Sequence, residues 1–263
     1  MMWGLVLGVM LSFQQEELEL PAPYSDVHVE LRADVWFASF SGGGHLNHWF
    51  GNERDQEKDA PSFLFHREGR LADPAPAPGG QLHVLWENGR NDVRGFGIQF
   101  RRGEWSESGT IDQSFVVDGT TVPAGSSFRS RMQKYTASAF AVAGRRLSDL
   151  PLEARGWVGC FFHQERFRMQ TASGDLKDGG GGLNLCTGGR VEIRPLPFVF
   201  AAGEVSGALG WGLPEAQAAV SAGVTWSRFQ LEGGYRHLWS GGFGDPIFHM
   251  SVGGPFVGGS IRF

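Results

Sequence analysis

Long apolar runs are scarce in this sequence. Outside the N-terminus, no stretch reaches the roughly 18 apolar residues that a membrane-spanning helix needs, so such a helix is not expected. The chain has 2 cysteines, which are too few for a cysteine-based metal centre, and we expect neither a metal nor another cofactor. The net charge is -5 and no basic patch with interleaved aromatics occurs, which argues against nucleic acid as a partner.

Glycine and aromatic residues are plentiful instead. The 40 glycines and the 13% aromatic content both exceed the usual values for a soluble domain, in which glycine is about 7% of residues. The mean hydropathy is nevertheless close to zero, at -0.20. This combination is typical of transmembrane β-barrels, whose strands alternate lipid-facing and lumen-facing residues and therefore average to neutral.

The N-terminus differs from the rest of the chain. Residues 1–13 form an apolar run of about the length of a signal-peptide core, although no Lys or Arg precedes it. Residues 14–25 are acidic and contain prolines, as in a flexible leader. The sequence therefore predicts a signal peptide and leader over 1–25, followed by a single domain over 26–263.

Alternation with period 2 is the main structural signal. It is clearest in 26–40, 216–226 and 229–239, where apolar residues occupy one face of each segment and polar residues occupy the other. Ser227-Arg228 lies between the last two segments and predicts a two-residue hairpin turn. The same alternation recurs more weakly in the segments 81–87, 92–102, 127–143, 151–163, 183–194 and 198–211.

The connections between these segments alternate between long and short, as they do between the two sides of an outer-membrane barrel, except that 212–215 is short where a long connection is due. Residues 41–80, 103–126 and 164–182 are expected to be long external loops. The count predicts a closed antiparallel up-and-down barrel of about ten strands; eight is the alternative, if 81–87 and 92–102 form an external hairpin. A barrel of this size has a narrow interior, so a wide porin is not expected.

A soluble barrel of the lipocalin type would also alternate, with its apolar residues inside. Two features favour the membrane form. Aromatic residues lie near strand ends, as in an interfacial girdle: Trp211, Trp226, Tyr235 and Trp239. Charged residues recur on the second face of many strands, where a lumen would accommodate them as pairs. They are Glu30, Arg32, Glu153, Arg155, Arg190, Glu192, Glu232, Arg236 and Arg262.

The last strand alternates in the same way. Val257, Gly259, Ile261 and Phe263 share one side of it. A final strand that ends on Phe263 resembles the last strand of bacterial outer-membrane β-barrels, in which the terminal aromatic residue is part of the signal read by the barrel-assembly machinery. The resemblance implies a location in the outer membrane of a Gram-negative-type bacterium, with membrane lipid and that machinery as partners.

A second resemblance covers Thr110 to the end. The stretch Asp118–Gly125, the strand Phe128–Ala143 and the ending Gly254–Gly258 are similar to a group of outer-membrane barrels of poorly defined function. These motifs are architectural, so they carry no catalytic residue over to this chain. The function that this implies is a structural or interaction role through external loops; the alternative is a small channel for a polar or hydrophobic solute.

The two cysteines predict a disulfide. If the intervening loop is centred near residue 173, Cys160 and Cys186 face each other across a hairpin, at a separation compatible with a bond. Export from the cytoplasm would permit oxidation.

One segment near the C-terminus resembles an enzyme motif. The segment Tyr235–Gly242 resembles the His-x-Ser segment of lipid A 3-O-deacylases, which use a serine nucleophile and a histidine base. However, His237 and Ser240 are three residues apart and would point to opposite faces of a strand. We therefore expect a protein that is not an enzyme, with a lipid hydrolase as the further alternative.

Overall fold

The alternating segments form strands in the computed structural model. The structure describes residues 26–45, 62–64, 74–88, 91–111, 114–117, 120–147, 151–172, 174–210, 214–241 and 248–263. Within these ranges the strands are β1 (Asp26–His45), β2 (Ser62–Leu64), β3 (Ala75–Glu87), β4 (Asp92–Thr110), β5 (Phe115–Val117), β6 (Thr120–Val122), β7 (Ser127–Leu147), β8 (Leu152–Thr171), β9 (Gly174–Leu196), β10 (Val199–Gly210), β11 (Glu215–Trp226), β12 (Phe229–Gly241) and β13 (Phe248–Arg262). None of the described segments is a helix long and apolar enough to span a membrane.

Ten of these strands close into a barrel. The order is β13-β12-β11-β10-β9-β8-β7-β4-β3-β1, and β13 pairs with β1 to complete the ring. Every neighbouring pair is antiparallel. The prediction of ten strands rather than eight is confirmed, because β3 and β4 belong to the wall. The remaining strands are short: β2 extends the edge of β1, and β5 pairs with β6.

The barrel has two unlike ends. We call one of them the terminal end. It carries Asp26 at the start of β1, Phe263 after β13, and the short connections that follow β3, β7, β9 and β11. One of these is the expected turn Ser227-Arg228, where Ser227 has a φ of 54° and so allows the tight reversal. The seam is closed at this end by backbone hydrogen bonds between Val29 and Phe263, at 2.9 and 3.2 Å. The distal end carries the other connections.

The outward face is apolar. Large hydrophobic side chains are exposed around the wall, and a ring of them covers the barrel at membrane height: Leu31, Phe37, Phe96, Ile98, Phe100, Val158, Phe162, Leu183, Leu185, Val191, Val205, Val220, Val224, Leu231 and Val257. Such a surface is stable only in lipid, and closure leaves no sheet edge unsatisfied there. Trp226 at the terminal end and Tyr235 and Trp239 toward the distal end are exposed as girdle residues, as expected; Trp211 lies outside the described residues.

The wall is taller on one side than the sequence indicated. Strands β4, β7, β8 and β9 contain 19, 21, 20 and 23 residues, whereas β10 and β11 contain 12 each. Most of the expected loop 164–182 is therefore strand, with the chain reversing between Thr171 and Gly174, and part of the expected loop 103–126 is strand as well. We call residues 102–110, 127–135, 164–171 and 174–182 the distal wall. Most of the expected loop 41–80 lies outside the described residues.

Candidate functional site

The interior of the barrel is lined with charged side chains. The nine charged residues singled out from the sequence lie on the inward face of their strands, where each is buried or half-buried. Further charged residues share this face: Asp34, Glu87, Arg101, Lys134, Arg146, Glu165, Arg194, Glu204 and Glu215. The inward charges are joined in clusters that follow one another along the barrel axis.

The first cluster lies at the terminal end. Glu30 on β1 accepts hydrogen bonds from Arg155 on β8 at 3.4 Å and from Arg262 on β13 at 3.2 Å. Arg155 also donates to Glu153, which in turn is bound by Arg146 at 3.2 Å. Because β1 and β8 stand on opposite sides of the ring, the pair Glu30–Arg155 crosses the lumen.

The second cluster lies above it. Glu232 is 4% exposed and is held by Arg32 and by Arg190, the latter at 3.2 Å. Arg190 also lies 3.7 Å from Glu204 and donates to Glu192 at 3.3 Å. These residues come from β1, β9, β10 and β12, so a second layer of ion pairs spans the lumen.

The third cluster is centred on Asp34, which is 5% exposed. Arg101 donates to both of its carboxylate oxygens at 2.9 Å, and Arg236 donates to the same two at 3.2 and 3.3 Å. The Arg236 guanidinium also lies 4.5 Å from the centre of the Phe256 ring, in a cation–π contact.

Nearer the distal end, Lys134 joins two carboxylates from different strands. Its ammonium donates to Glu165 on β8 at 2.8 Å and to Glu215 on β11. Sequence reasoning missed this group because Glu165 fell in a segment assigned to a loop and because 127–143 alternates less regularly. The alternation was a usable signal nonetheless, since Phe128, Met132 and Lys134 share one parity along β7 and are all buried.

An apolar cap fills the distal part of the lumen. Its buried members include Trp36, Trp105, Ile111, Val122, Phe128, Met132, Met169, Met250 and Val252. Two indoles are fixed by hydrogen bonds to backbone carbonyls, from Trp36 to Gly254 at 3.0 Å and from Trp105 to Ala38 at 2.8 Å. The sequence did not indicate this cap, because the residues named come together from five barrel strands (β1, β4, β7, β8 and β13), from β6 and from the segment after β4.

The space left inside is small. One cavity of about 80 Å³ lies beside Arg101, Lys134 and Glu215, and another of about 50 Å³ lies beside Glu30, Arg190 and Glu204. Such volumes hold a few water molecules. In the described part of the chain, the lumen is therefore occupied by side chains rather than by a wide aqueous path.

The expected disulfide is corrected by the register of β8 and β9. Cys160 pairs with Leu185, and Cys186 pairs with Gly159, so the cysteines are offset by one residue. An offset of one residue reverses the face of a side chain. Cys160 is exposed on the outside and Cys186 is buried on the inside, and both are free.

The His-x-Ser segment is also divided between two faces. Ser240 is buried in the lumen at 3% exposure, whereas His237 belongs to the outward face, so these two do not form a catalytic pair. A different serine reaches the histidine: the Ser251 hydroxyl on β13 lies 2.6 Å from His237 Nε2. The Trp239 ring covers the imidazole at a centroid distance of 4.2 Å.

The sequence matches no family model, and no curated protein is similar to it at a significant level. Solved structures with some likeness to this chain include the following three. The outer membrane protease OmpT from Escherichia coli is 9% identical, with 94% of this chain and 99% of that chain covered and a TM-score of 0.47. The translocator domain of the autotransporter NalP from Neisseria meningitidis is 10% identical, with coverage of 100% and 95% and a TM-score of 0.39. The attachment invasion locus protein Ail of Yersinia pestis is 12% identical, with coverage of 89% and 99% and a TM-score of 0.33.

These similarities concern architecture alone. Closure of the ring, the apolar outer band and the charged interior are properties of this chain's own structure, and they agree with a barrel that is surrounded by lipid. The described part of the chain is a closed ten-stranded antiparallel β-barrel whose apolar exterior fits a membrane-spanning barrel.

Proposed function

We propose that the protein acts as a membrane-embedded scaffold whose distal end interacts with other molecules, and that its lumen does not conduct solutes. The observation that carries this proposal is the filled lumen. Cross-barrel ion pairs such as Glu30–Arg155 and Lys134–Glu215 occupy successive levels, and the apolar cap lies beyond them. A conducting barrel of this size would need these groups to move apart.

The distal wall supports the interaction role. It continues four neighbouring strands toward the distal end, and its last pairs, such as Thr171 with Gly174 and Thr110 with Ser127, are still in register. A rigid projection of this kind presents side chains at fixed positions outside the membrane, as a binding surface requires.

The first experiment is conductance in planar lipid bilayers. We expect no discrete current steps from the purified barrel. The control is the triple variant Trp105→Ala, Lys134→Ala and Arg155→Ala, which removes parts of the cap and of the ion pairs. Current steps from this variant would show that insertion of an open barrel is detectable. Steps from the unaltered protein would contradict the scaffold and favour the channel.

The second experiment tests orientation in cells. A short epitope inserted at residues 172–173, the distal reversal of β8 and β9, should be accessible to antibody on intact bacteria. The same epitope in the turn Ser227-Arg228 should become accessible only after the outer membrane is permeabilised. The opposite result would place the distal wall in the periplasm and remove the basis for an external interaction.

One contact favours a second candidate function, the hydrolysis of a lipid ester. Ser251 and His237 form a hydrogen-bonded pair on the outward face, close to the girdle residue Trp239. The Ser251 hydroxyl would attack an ester carbonyl while His237 takes its proton; the alcohol leaves with that proton, and water then releases the fatty acid and restores the serine. Fatty-acid release from lipid vesicles that disappears in Ser251→Ala and persists in Ser240→Ala would support it. Equal release by both variants, or none from the unaltered protein, would exclude it.

A further inference from the structure

A groove runs along the outward face of the barrel. It is lined by side chains of six neighbouring strands from β1 to β9 and has a volume of about 670 Å³. Its floor is formed by alanines on β7, and bulky side chains form its sides. Ala137 pairs with Phe100 on β4 and with Phe162 on β8, so it lies between two phenylalanines in one row.

The rows toward the terminal end repeat this arrangement. Ala139 lies between Ile98 and Cys160, and Ala141 pairs with Phe96 and Val158. Along β7 the result is a row of methyl groups between bulkier side chains, and the groove crosses this row at Ala137 and Ala139. An extended hydrocarbon chain has the width and chemistry to occupy this apolar surface.

A cluster of arginines lies on the same strands, beyond the distal end of the groove. Arg129 and Arg131 on β7 and Arg166 and Arg168 on β8 are all exposed on the outward face of the distal wall. The register places Arg131 directly opposite Arg168. Like charges directly opposite each other on a sheet repel, so this pair is stabilised by anions nearby.

Carboxylates on this face neutralise only part of the positive charge. Glu104 accepts hydrogen bonds from Arg131 at 2.6 Å and from Gln133 at 2.9 Å, and Asp175 is bound by Arg168. Hydrogen bonds from Gln133 and then from the neighbouring arginines lower the pKa of Glu104, so it stays ionised. Arg129 and Arg166 have no ion pair with any described residue.

Among the described residues, the cluster has no counterpart on the opposite wall, where Leu209, Ala216, Trp239 and Ser251 face outward near the distal end and are uncharged. Bulk lipid surrounds the whole barrel and would not require charge on one side only. The arginines and the groove lie on the same two strands: Arg166 is about 13 Å along β8 from the groove residue Phe162, and Tyr135 and Gln133 lie between Ala137 and Arg131 on β7.

We propose that this face is a binding site for one phosphate-bearing lipid of the outer leaflet. Its phosphate is held by Arg129, Arg131, Arg166 and Arg168, and an acyl chain lies in the groove over Ala137 and Ala139. Arginine suits this role because its guanidinium binds phosphate in a bidentate manner. The site is separate from the lumen and does not depend on the scaffold role.

The test is native mass spectrometry of the detergent-solubilised barrel titrated with lipid A, a phosphorylated and acylated glycolipid, and with its dephosphorylated form. The unaltered protein should bind lipid A as a discrete adduct and the dephosphorylated form at least about tenfold more weakly, because the charge-assisted bonds are lost. The variant Arg131→Gln with Arg168→Gln should lose about tenfold or more in affinity for lipid A only.

Two matched controls make the result specific. Arg94→Gln with Arg145→Gln removes two outward arginines at the terminal end and should leave the affinity unchanged. Ala139→Phe fills the groove and should weaken binding, whereas Ala222→Phe on β11 should not. Unchanged affinity in the Arg131/Arg168 variant would overturn the proposal. Unchanged affinity in Ala139→Phe would also overturn the proposal. It would mean that the arginines alone bind the phosphate and that no acyl chain lies in the groove.

Discussion

Replacing Asp34 tests the claim that cross-barrel ion pairs hold the lumen together. Asp34 is buried and accepts four hydrogen bonds, at 2.9, 2.9, 3.2 and 3.3 Å, from Arg101 and Arg236. Asparagine has nearly the same shape but no charge, so Asp34→Asn leaves two buried guanidinium groups facing each other without an anion. Removal of one partner from a buried charge group costs about 3–5 kcal/mol.

An exposed pair provides the control. The side chains of Arg168 and Asp175 are 48% and 37% exposed, and Asp175→Asn should cost about 0–1 kcal/mol. The assay is the free energy of unfolding from urea titration in lipid vesicles, followed by tryptophan fluorescence and by the heat-dependent gel mobility of the folded barrel. Both probes should report the same midpoint if unfolding is two-state.

A third variant separates charge from shape. Asp34→Asn combined with Arg101→Met and Arg236→Met removes the whole charge group, and it should recover most of the lost stability, because replacing a complete buried group by apolar residues is often neutral. If Asp34→Asn costs no more than Asp175→Asn, water must reach the arginines freely, and the filled lumen would be refuted.

Three further predictions follow from single positions. Cys160 should react with a membrane-permeant maleimide in the folded protein without reductant, and Cys186 only after unfolding; protection of both cysteines until reductant is added would restore the disulfide. Gly97→Ala should lower the free energy of unfolding by about 1–3 kcal/mol, since its methyl group would lie 2.5 Å from the Phe140 ring, and an unchanged urea midpoint would contradict that packing. Phe263→Ala should reduce the amount of barrel assembled in cells while leaving the stability of the refolded protein within about 1 kcal/mol, because the seam bonds to Val29 use the backbone; equal assembly would exclude Phe263 as an assembly signal.

The alternation along the chain was sufficient to predict the faces of most strands. In β1, β11 and β12 the residues expected to share a face do so, and the turn at Ser227-Arg228 is where the pattern placed it. Strand ends were harder to predict. The distal wall continues through polar and glycine-rich sequence, such as residues 179–182, where a strand is held by its neighbours rather than by local preference.

The register between neighbouring strands was the other feature that the sequence did not predict. The hairpin reversal is expected near residue 173 and falls between Thr171 and Gly174, yet one residue of offset between β8 and β9 sends Cys160 outward and Cys186 inward. In the same way, the sequence predicted that His237 and Ser240 lie on opposite faces of a strand. It did not indicate Ser251, which contacts His237 from the neighbouring strand. Contacts between strands depend on register, which a periodic pattern alone does not specify.

By itself, the sequence determined which residues of each strand share a face, with apolar residues on one side and charged residues on the other, because a period of two is a property of each strand alone. Tertiary structure alone decided which charges meet across the lumen, as when Lys134 joins Glu165 and Glu215, and which outward residues combine into the groove and the arginine cluster. Those groupings arise from strands far apart in the chain, brought together by closure of the ring and fixed by the register of its hydrogen bonds.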